Sequence, residues 1–331
     1  MAETVLIFGI SGQDGAYLAA LLLARGFEVH GASRDCENNS FNNLVQLGLR
    51  ERVYLHSTDI CDYLSVQRLI KTVQPSRIFN LAAQSSVGLS FEEPTQTLDS
   101  IIKGTINILE TIRAVGVGSR FYNASSGECF GETDAQSATE NAPFRPRSPY
   151  GVGKAAAFWA VANYREAYNI FACSGILFNH ESPLRSSRYV TQKIVRGAAD
   201  IAEGKADRLR LGTLDIARDW GWAPEYVDAM ARMLDLDRPE DFVIATGAVH
   251  TLEDFTSTAF GCFDLDWRTY VEIDPKLKRP SDIRRSAGNA AKAAQLLGWR
   301  AEATMPMVVR RLVEAERTRR QALLTTGSLS G

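Results

Sequence analysis

Val5-Leu-Ile-Phe-Gly-Ile-Ser-Gly-Gln-Asp-Gly15 is the stretch that decides the fold: an apolar run passes straight into three glycines spaced three apart. A helical pattern, Ala16 to Ala24, follows at once. A short apolar run closed by glycine and continued by helical periodicity is a buried strand turning into a helix. The amides of such a turn, backed by the positive end of the helix, form a receptor for a pyrophosphate. Gly9, Gly12 and Gly15 allow the turn and the close approach of a ligand, and Ser11, Gln13 and Asp14 stand between them. All six are candidate ligands of a dinucleotide.

The same alternation continues outward. Glu28 to Gly31, Val53 to His56, Arg77 to Leu81, Arg120 to Ala124 and Phe171 to Phe178 read as strands; Tyr63 to Lys71, Ile101 to Ile112 and Pro149 to Tyr168 read as helices. Strands separated by helices imply right-handed crossovers and a parallel sheet covered on both faces, an α/β fold of the Rossmann-type doubly wound kind. Between about 181 and 235 the regularity is lost, and 264 to 285 is rich in Asp, Arg, Lys and Pro. These segments are expected to build a smaller C-terminal α/β lobe. The expected division is 1–180 for the dinucleotide-binding domain, with returning segments near 215–250 such as Phe242 to Ala245, and 181–325 mainly for an interleaved substrate lobe. The last helix, Pro306 to Gln321, is amphipathic, and Thr325 to Gly331 reads as a frayed tail.

Composition narrows the function. The 331 residues carry a net charge of -2 with no long block of one sign, so no partner nucleic acid or membrane surface is expected. Cys36, Cys61, Cys129, Cys173 and Cys262 are odd in number, widely spaced and without a C-x-x-C pair, which reads as reduced thiols in a cytoplasmic protein. His30, His56, His180 and His250 are isolated from one another, and no metal site is expected.

At the end of the second strand, where a carboxylate would grip the ribose of NAD, stand Ser33 and Arg34. A guanidinium suits a 2′-phosphate, so NADP is preferred to NAD, and Asp35 is the residue that would reverse this by turning inward. Asp59 and Ile60 after the third strand are candidates for holding the adenine. Leu81, Ala82, Ala83 and Gln84 after the fourth are expected to lie along the cofactor.

Tyr150-Gly-Val-Gly-Lys154 places a phenol and an ammonium on one face of a helix. A nearby cation favours the phenolate and lowers a tyrosine pKa from its usual value near 10. Upstream, Asn123-Ala-Ser-Ser-Gly-Glu-Cys-Phe-Gly131 ends a strand with Ser126 and Glu128 side by side. If that segment stays extended, Cys129 points to the opposite face and packs.

These pieces resemble the extended short-chain dehydrogenase/reductases and, more closely, the GDP-mannose 4,6-dehydratases. The likeness runs from Val5 to about Ala315 and is carried by GISGQDGAYLA (Gly9 to Ala19), SFNNL (Ser40 to Leu44), NLAAQSSVGLSF (Asn80 to Phe91), PRSPYGVGK (Pro146 to Lys154), NYREAY (Asn163 to Tyr168), GILFNHESPLR (Gly175 to Arg185), VTQKI (Val190 to Ile194), RDWG (Arg218 to Gly221), EDFVIATG (Glu240 to Gly247) and Arg279-Pro280. The Tyr-Lys pair alone is shared with many dehydrogenases; the combination is specific to sugar-nucleotide dehydratases.

The resemblance implies a set of roles. Tyr150 takes the proton of the sugar 4-hydroxyl while NADP accepts hydride, Ser126 donates to the 4-oxygen, and Lys154 binds the nicotinamide ribose and lowers the Tyr150 pKa. Glu128 removes the C5 proton. Leu177, Asn179, His180 and Arg185 join the cofactor ligands, with no catalytic role for His180. Ser85, Ser126, Asn179, Val190, Lys193, Arg218 and Arg279 are the implied substrate ligands, the two arginines on the diphosphate of a GDP-sugar. The SFNN loop implies contact with a neighbouring subunit, hence a homotetramer or homodimer. For Arg218 alone, a salt bridge to Asp219 or Asp215 is the competing expectation.

Two departures bear on the substrate. The family usually reads Ser-Thr-Ser-Glu where this chain has Ser125-Ser126-Gly127-Glu128, which removes a candidate acid for the leaving 6-hydroxyl and is expected to open space beside C6 for a sugar larger than mannose. Gln192 replaces a residue that is often basic, and Leu265 to Arg279 is shortened. Both are expected where sugar or nucleotide sits. A GDP-manno-heptose dehydratase and a 4-reductase or epimerase are the alternative enzymes, and a nucleotide-sensing regulator is the non-enzymatic one. Glu128 discriminates against the reductase, which does without it, and the complete set of Ser126, Glu128, Tyr150 and Lys154 discriminates against the regulator.

Overall fold

The computed structural model describes residues 3–133 and 136–327. Its thirteen strands are β1 (Thr4–Phe8), β2 (Glu28–Ser33), β3 (Tyr54–Ser57), β4 (Arg77–Asn80), β5 (Arg120–Ser126), β6 (Ala172–Leu177), β7 (Asn179–Glu181), β8 (Leu209–Leu211), β9 (Ala217–Trp222), β10 (Phe242–Ile244), β11 (Val249–Thr251), β12 (Val271–Ile273) and β13 (Arg285–Ser286). Seven of them form one parallel sheet in the order β10-β6-β5-β4-β1-β2-β3. Val5, Leu6, Ile7 and Phe8 of β1 are all buried, alternate residues feeding the cores on opposite faces, which is why this strand is apolar without alternation.

The helix after the glycine turn, Gln13–Ala24, starts earlier than its apolar pattern, because the polar Gln13 and Asp14 occupy its first turn. The helix expected at Ile101 to Ile112 is split. A π-helical stretch, Asp99–Lys103, runs into the α-helix Gly104–Val115. Such local widening is common beside functional sites.

A second sheet is built around β9, flanked by β11 and β13 and extended by β7, while β12 and β8 form a separate pair. The helix Ala223–Met233 leaves this sheet and returns to the main one, where Tyr226, Val227 and Met230 share a core with Leu18 and Leu22 of the first helix. β10 then pairs with β6. The long helix Met305–Gly327 lays Val308, Val309, Leu312 and Val313 against Trp220, Phe255 and Phe260. The remainder of the expected tail, 328–331, lies outside the described residues. Among the described residues no helix is long and apolar enough to cross a membrane.

The carboxyl ends of β1, β4, β5 and β6 open on one cleft, and β9 with its neighbours forms the far wall. Ligands of open parallel sheets bind at this end, where crossovers on opposite faces leave a crevice.

Candidate active site

The glycine turn is shaped for an anion. Gly9 has φ +85°, and a Cβ there would lie 2.8 Å from the Ala82 nitrogen. A Cβ on Gly15 would come within 2.7 Å of the Ile10 Cα, so helix and strand pack only because it is absent. At Gly12 the situation is the reverse: a Cβ would meet only the Gly9 oxygen at 3.3 Å and otherwise point into open space. Gly12 caps the helix Gln13–Ala24 with no side-chain hydrogen bond, leaving its first amides to an outside acceptor. These residues fit a dinucleotide pyrophosphate.

The turn is tied to the loop after β7. Ser182 Oγ donates to Gln13 Oε1 at 2.7 Å, and Gln13 Nε2 donates to Asp14 Oδ1 at 2.9 Å and to His180 O at 3.3 Å. His180 Nδ1 meets the Phe178 carbonyl at 2.7 Å and Nε2 meets Asp14 Oδ2 at 2.9 Å. Both partners are acceptors, so both ring nitrogens carry protons. Burial opposes that charge, but the Asp14 carboxylate outweighs it and holds His180 above its ordinary range. Asp14 itself is held below the usual carboxylate range, burial being overcome by His180, Gln13 and Arg185. His180 is thus a satisfied ion-pair partner stacked on Tyr226, ring centroids 4.5 Å apart.

The reaction side is assembled from β5 and the helix Pro149–Tyr168. Ser126 ends β5, and its Oγ accepts from the Glu128 amide at 3.2 Å, opening a single 3₁₀ turn over Gly127–Cys129. That turn presents Glu128 to the cleft beside Ser126, while Cys129 is buried with its Sγ 3.6 Å from Ser125 Oγ and its thiol pushed up to about 11 by burial. Cys129 therefore packs and does not attack. Burial also dominates Glu128, holding its carboxyl above the ordinary range; Arg218 and Arg279 pull it down and Asp282 pushes it up. A carboxylate raised in this way is a better proton acceptor at neutral pH.

Tyr150 and Lys154 line the same wall, one turn apart. Lys154 Nζ donates to the Ala124 carbonyl at 2.7 Å and lies 5.7 Å from the Tyr150 ring centre. Burial brings Lys154 down to about 8 and pushes the Tyr150 phenol well up, with a hydrogen bond to Ser126 acting the other way. Burial is thus the larger influence on the Tyr150 phenol, and the Lys154 ammonium stands beside the ring where its charge favours the phenolate.

The opposite wall is basic. Arg218, on β9 and 4% exposed, donates through Nη2 to Asp282 Oδ1 at 2.8 Å and through Nη1 to the Ala217 carbonyl at 3.0 Å. The competing expectation of a bridge to Asp219 or Asp215 is not met, because Asp219 accepts from the Thr246 and Gly247 amides and Asp215 pairs with the Thr213 hydroxyl. Arg279, Lys193, Val190 and Asn179 line the cleft with Arg218. Ser85 reaches across to Tyr189, hydroxyl to hydroxyl at 2.7 Å, and the Arg185 guanidinium lies 3.9 Å over the Tyr189 ring.

Of the residues singled out in the sequence, Gly9, Ser11, Gly12, Gln13, Asp14, Gly15, Leu81, Ala83, Ser85, Ser126, Glu128, Tyr150, Lys154, Leu177, Asn179, His180, Arg185, Val190, Lys193, Arg218 and Arg279 line one cleft. Five do not. Arg34 is exposed beyond its rim, Asp59 caps the Cys61 amide at 2.9 Å, Ile60 is buried, Ala82 packs beneath Gly9, and the Gln84 amide donates to Thr97 and Ser86. Asp35 does not turn inward: its carboxylate accepts from the Glu37 and Asn38 amides.

Two substrate expectations are overturned. Gln192 is buried and donates to the Ser182 carbonyl at 2.9 Å, bracing the loop without facing the cleft. No space opens at Gly127, where a Cβ would meet the Phe178 ring at 3.0 Å. Sequence reasoning also missed Asn43, which lines the cleft and donates to the Ser11 carbonyl at 3.0 Å, as well as Tyr189 and Asp282. Only the SFNN motif hinted at the first.

A model of the family described as GDP-mannose 4,6 dehydratase matches residues 6–312 of this chain. The chain belongs to the GDP-mannose 4,6-dehydratase family. It is 41% identical over 324 residues to GDP-mannose 4,6 dehydratase 2 of Arabidopsis thaliana, covering 95% of this chain and 87% of the relative. It is 43% identical over 329 residues to the GDP-mannose 4,6-dehydratase of Sinorhizobium fredii, covering 92% and 93%. Among solved structures, the Thermus thermophilus UDP-glucose 4-epimerase in complex with NAD superposes with a TM-score of 0.83 at 26% identity, covering 95% of this chain and 99% of that one. In the cleft a carboxylate, Glu128, stands beside Ser126, Tyr150 and Lys154.

Proposed function

We propose that this chain converts GDP-mannose to GDP-4-keto-6-deoxymannose by oxidation at C4, loss of water across C5 and C6, and return of hydride to C6. The observation that carries the reading is Glu128 beside Ser126, Tyr150 and Lys154 in one cleft, which adds a C5 base to a dehydrogenase site. The family match supports it.

NADP is the cofactor we infer. When bound it would supply the redox chemistry, a hydride acceptor for C4 and a hydride donor for C6. The turn Gly9–Gly15 would hold its pyrophosphate, and Lys154 its nicotinamide ribose. The preference for NADP is supported by Arg34, exposed at the end of β2, and by Asp35 being occupied in its own turn. A nicotinamide cofactor in general is supported by the NAD found in the Thermus epimerase.

Tyr150 accepts the proton of the 4-hydroxyl while Ser126 donates a hydrogen bond to the same oxygen. The buried Lys154 ammonium favours the phenolate form of Tyr150 that takes this proton. With a ketone at C4 the C5 proton is acidic, and the Glu128 carboxylate takes it. With glycine at 127, the same carboxyl group passes this proton to the leaving 6-hydroxyl, so water departs and the base is restored. Once hydride is back on C6, C5 takes up one proton, matched by release of the one that Tyr150 took from the 4-hydroxyl, and every side chain ends as it began. Arg218, Arg279 and Lys193 hold the diphosphate, with forked donors suited to phosphate.

Glu128→Gln tests the reading. It should abolish the 4-keto-6-deoxy product while NADP binding, read by fluorescence titration, is kept. Product formed at near wild-type rate would remove Glu128 from the mechanism.

A further inference from the structure

Asp282, which closes the Lys278-Arg-Pro-Ser-Asp282 stretch around Arg279 and was given no role in the sequence, joins the basic wall. Its Oδ1 accepts from Arg218 Nη2 at 2.8 Å, from Arg279 Nη1 at 3.4 Å and from the Ile283 amide at 2.9 Å. The loop that carries it is pinned to the segment that carries Glu128. The Glu132 carboxylate accepts from the Arg284 and Arg285 amides at 2.9 and 2.7 Å, and the Thr133 amide donates to the Arg285 carbonyl at 3.0 Å. Asp282 is therefore fixed relative to Glu128 as well as to the arginines.

Taking Arg218 and Arg279 as diphosphate ligands, the reading on which this inference rests, we propose that Asp282 is their resident counter-ion: it keeps the two guanidiniums paired until the diphosphate takes them over, and the exchange is felt at Glu128. Arg218 is nearly fully buried, and a buried charge left without a partner destabilises the fold. Asp282 removes that penalty.

The diphosphate brings its own negative charge to the same donors. It neutralises the cations that pull Glu128 down and leaves Asp282, which pushes Glu128 up, without its partners. The charged and titratable groups around Glu128 are Arg218 on β9, Arg279 and Asp282 on the loop before β13, Tyr150 on its helix, Cys129 on its own turn, and Glu132, which faces Arg218. Only the arginines and Asp282 change partners when a diphosphate binds. The base is thus strengthened by the substrate it acts on, and Asp282 is a positioning residue that acts through the arginines.

The test compares the full-length chain with Asp282→Asn and Asp282→Glu, using GDP as the probe. Without GDP, Asp282→Asn should melt below wild type. With GDP it should bind about fivefold tighter, as expected when one competing anion is removed near a partly exposed ion pair, and its melting temperature should rise more than that of wild type. Asp282→Glu, which keeps the charge, should titrate like wild type. In wild-type turnover the acid limb of kcat should lie at higher pH than that of kcat/KM, and in Asp282→Asn this gap should narrow. Equal or weaker GDP binding by Asp282→Asn, or coincident acid limbs in wild type, would overturn the proposal. A wild-type chain that binds no GDP at all would first remove the substrate reading, and the inference with it.

Discussion

Glu128 carries most of the chemical argument. Its carboxyl is held above its ordinary range by burial, so the acid limb of activity should fall at a pH above the usual value near 4.3 for glutamate. A pH profile of kcat whose acid limb sits at or below that value would show that another group controls it. Tyr150→Phe should cost 4-hydroxyl deprotonation, a loss of about 10²-fold or more in kcat, the scale of general-base catalysis. Retained C4 oxidation in that variant, read as a transient reduced-nicotinamide absorbance, would take Tyr150 out of the mechanism. At this scale spacing brought Ser126 beside Glu128 and Tyr150 one turn from Lys154, and the family resemblance joined the two pairs. What it could not show was Phe178 filling the space beside Gly127, since ring and glycine meet only when β5 and the segment after β6 pack. Tyr189 and Asp282 were hidden for the same reason: their partners Ser85 and Arg218 are distant in the chain.

At the scale of elements, the pair Asp14–His180 joins the first turn of the helix Gln13–Ala24 to β7. His180 is raised above its unfolded value near 6.5, so its contribution to stability is complete below that pH and is lost as pH rises through the folded value. Asp14 is lowered, so its contribution is present above about pH 4 and lost as pH falls through its folded value. The pair therefore stabilises most between these limits. His180→Gln should lower stability by about 3 kcal/mol at pH 6, the cost of leaving a buried charge unpaired, and by clearly less at pH 9. Denaturant melts at the two pH values decide this; equal losses would show that packing on Tyr226, not the ion pair, is what His180 contributes. The strands and most helices were legible from hydrophobic periodicity. The π-helical entry at Asp99–Lys103 and the short strands of the second sheet were not, because their pairing partners β7, β9, β11 and β13 are scattered through the chain.

For the whole molecule, the doubly wound sheet places the glycine turn, Glu128, Arg218 and Arg279 around one cleft although they come from positions 9 to 279 of the chain. The glycine turn and the crossover pattern predicted the sheet and its cleft; the expectation that Glu128 and the two arginines share it came from the family resemblance. The cofactor choice sits at its edge: Arg34→Ala should weaken NADP binding while leaving NAD binding within about twofold, since only the 2′-phosphate is lost as a partner. Equal losses for both nucleotides, by calorimetry, would return Arg34 to the role of a solvated surface residue.

The proposed reaction is a dehydration with internal return of hydride. Incubating the chain and NADP with GDP-mannose deuterated at C4, followed by mass spectrometry and NMR of the product, tests it directly. The expected product is a GDP-sugar one water lighter, with the deuterium now on C6 and no net reduction of NADP. A product of unchanged mass, or a ketone formed with stoichiometric reduced cofactor and the label lost from the sugar, would contradict it.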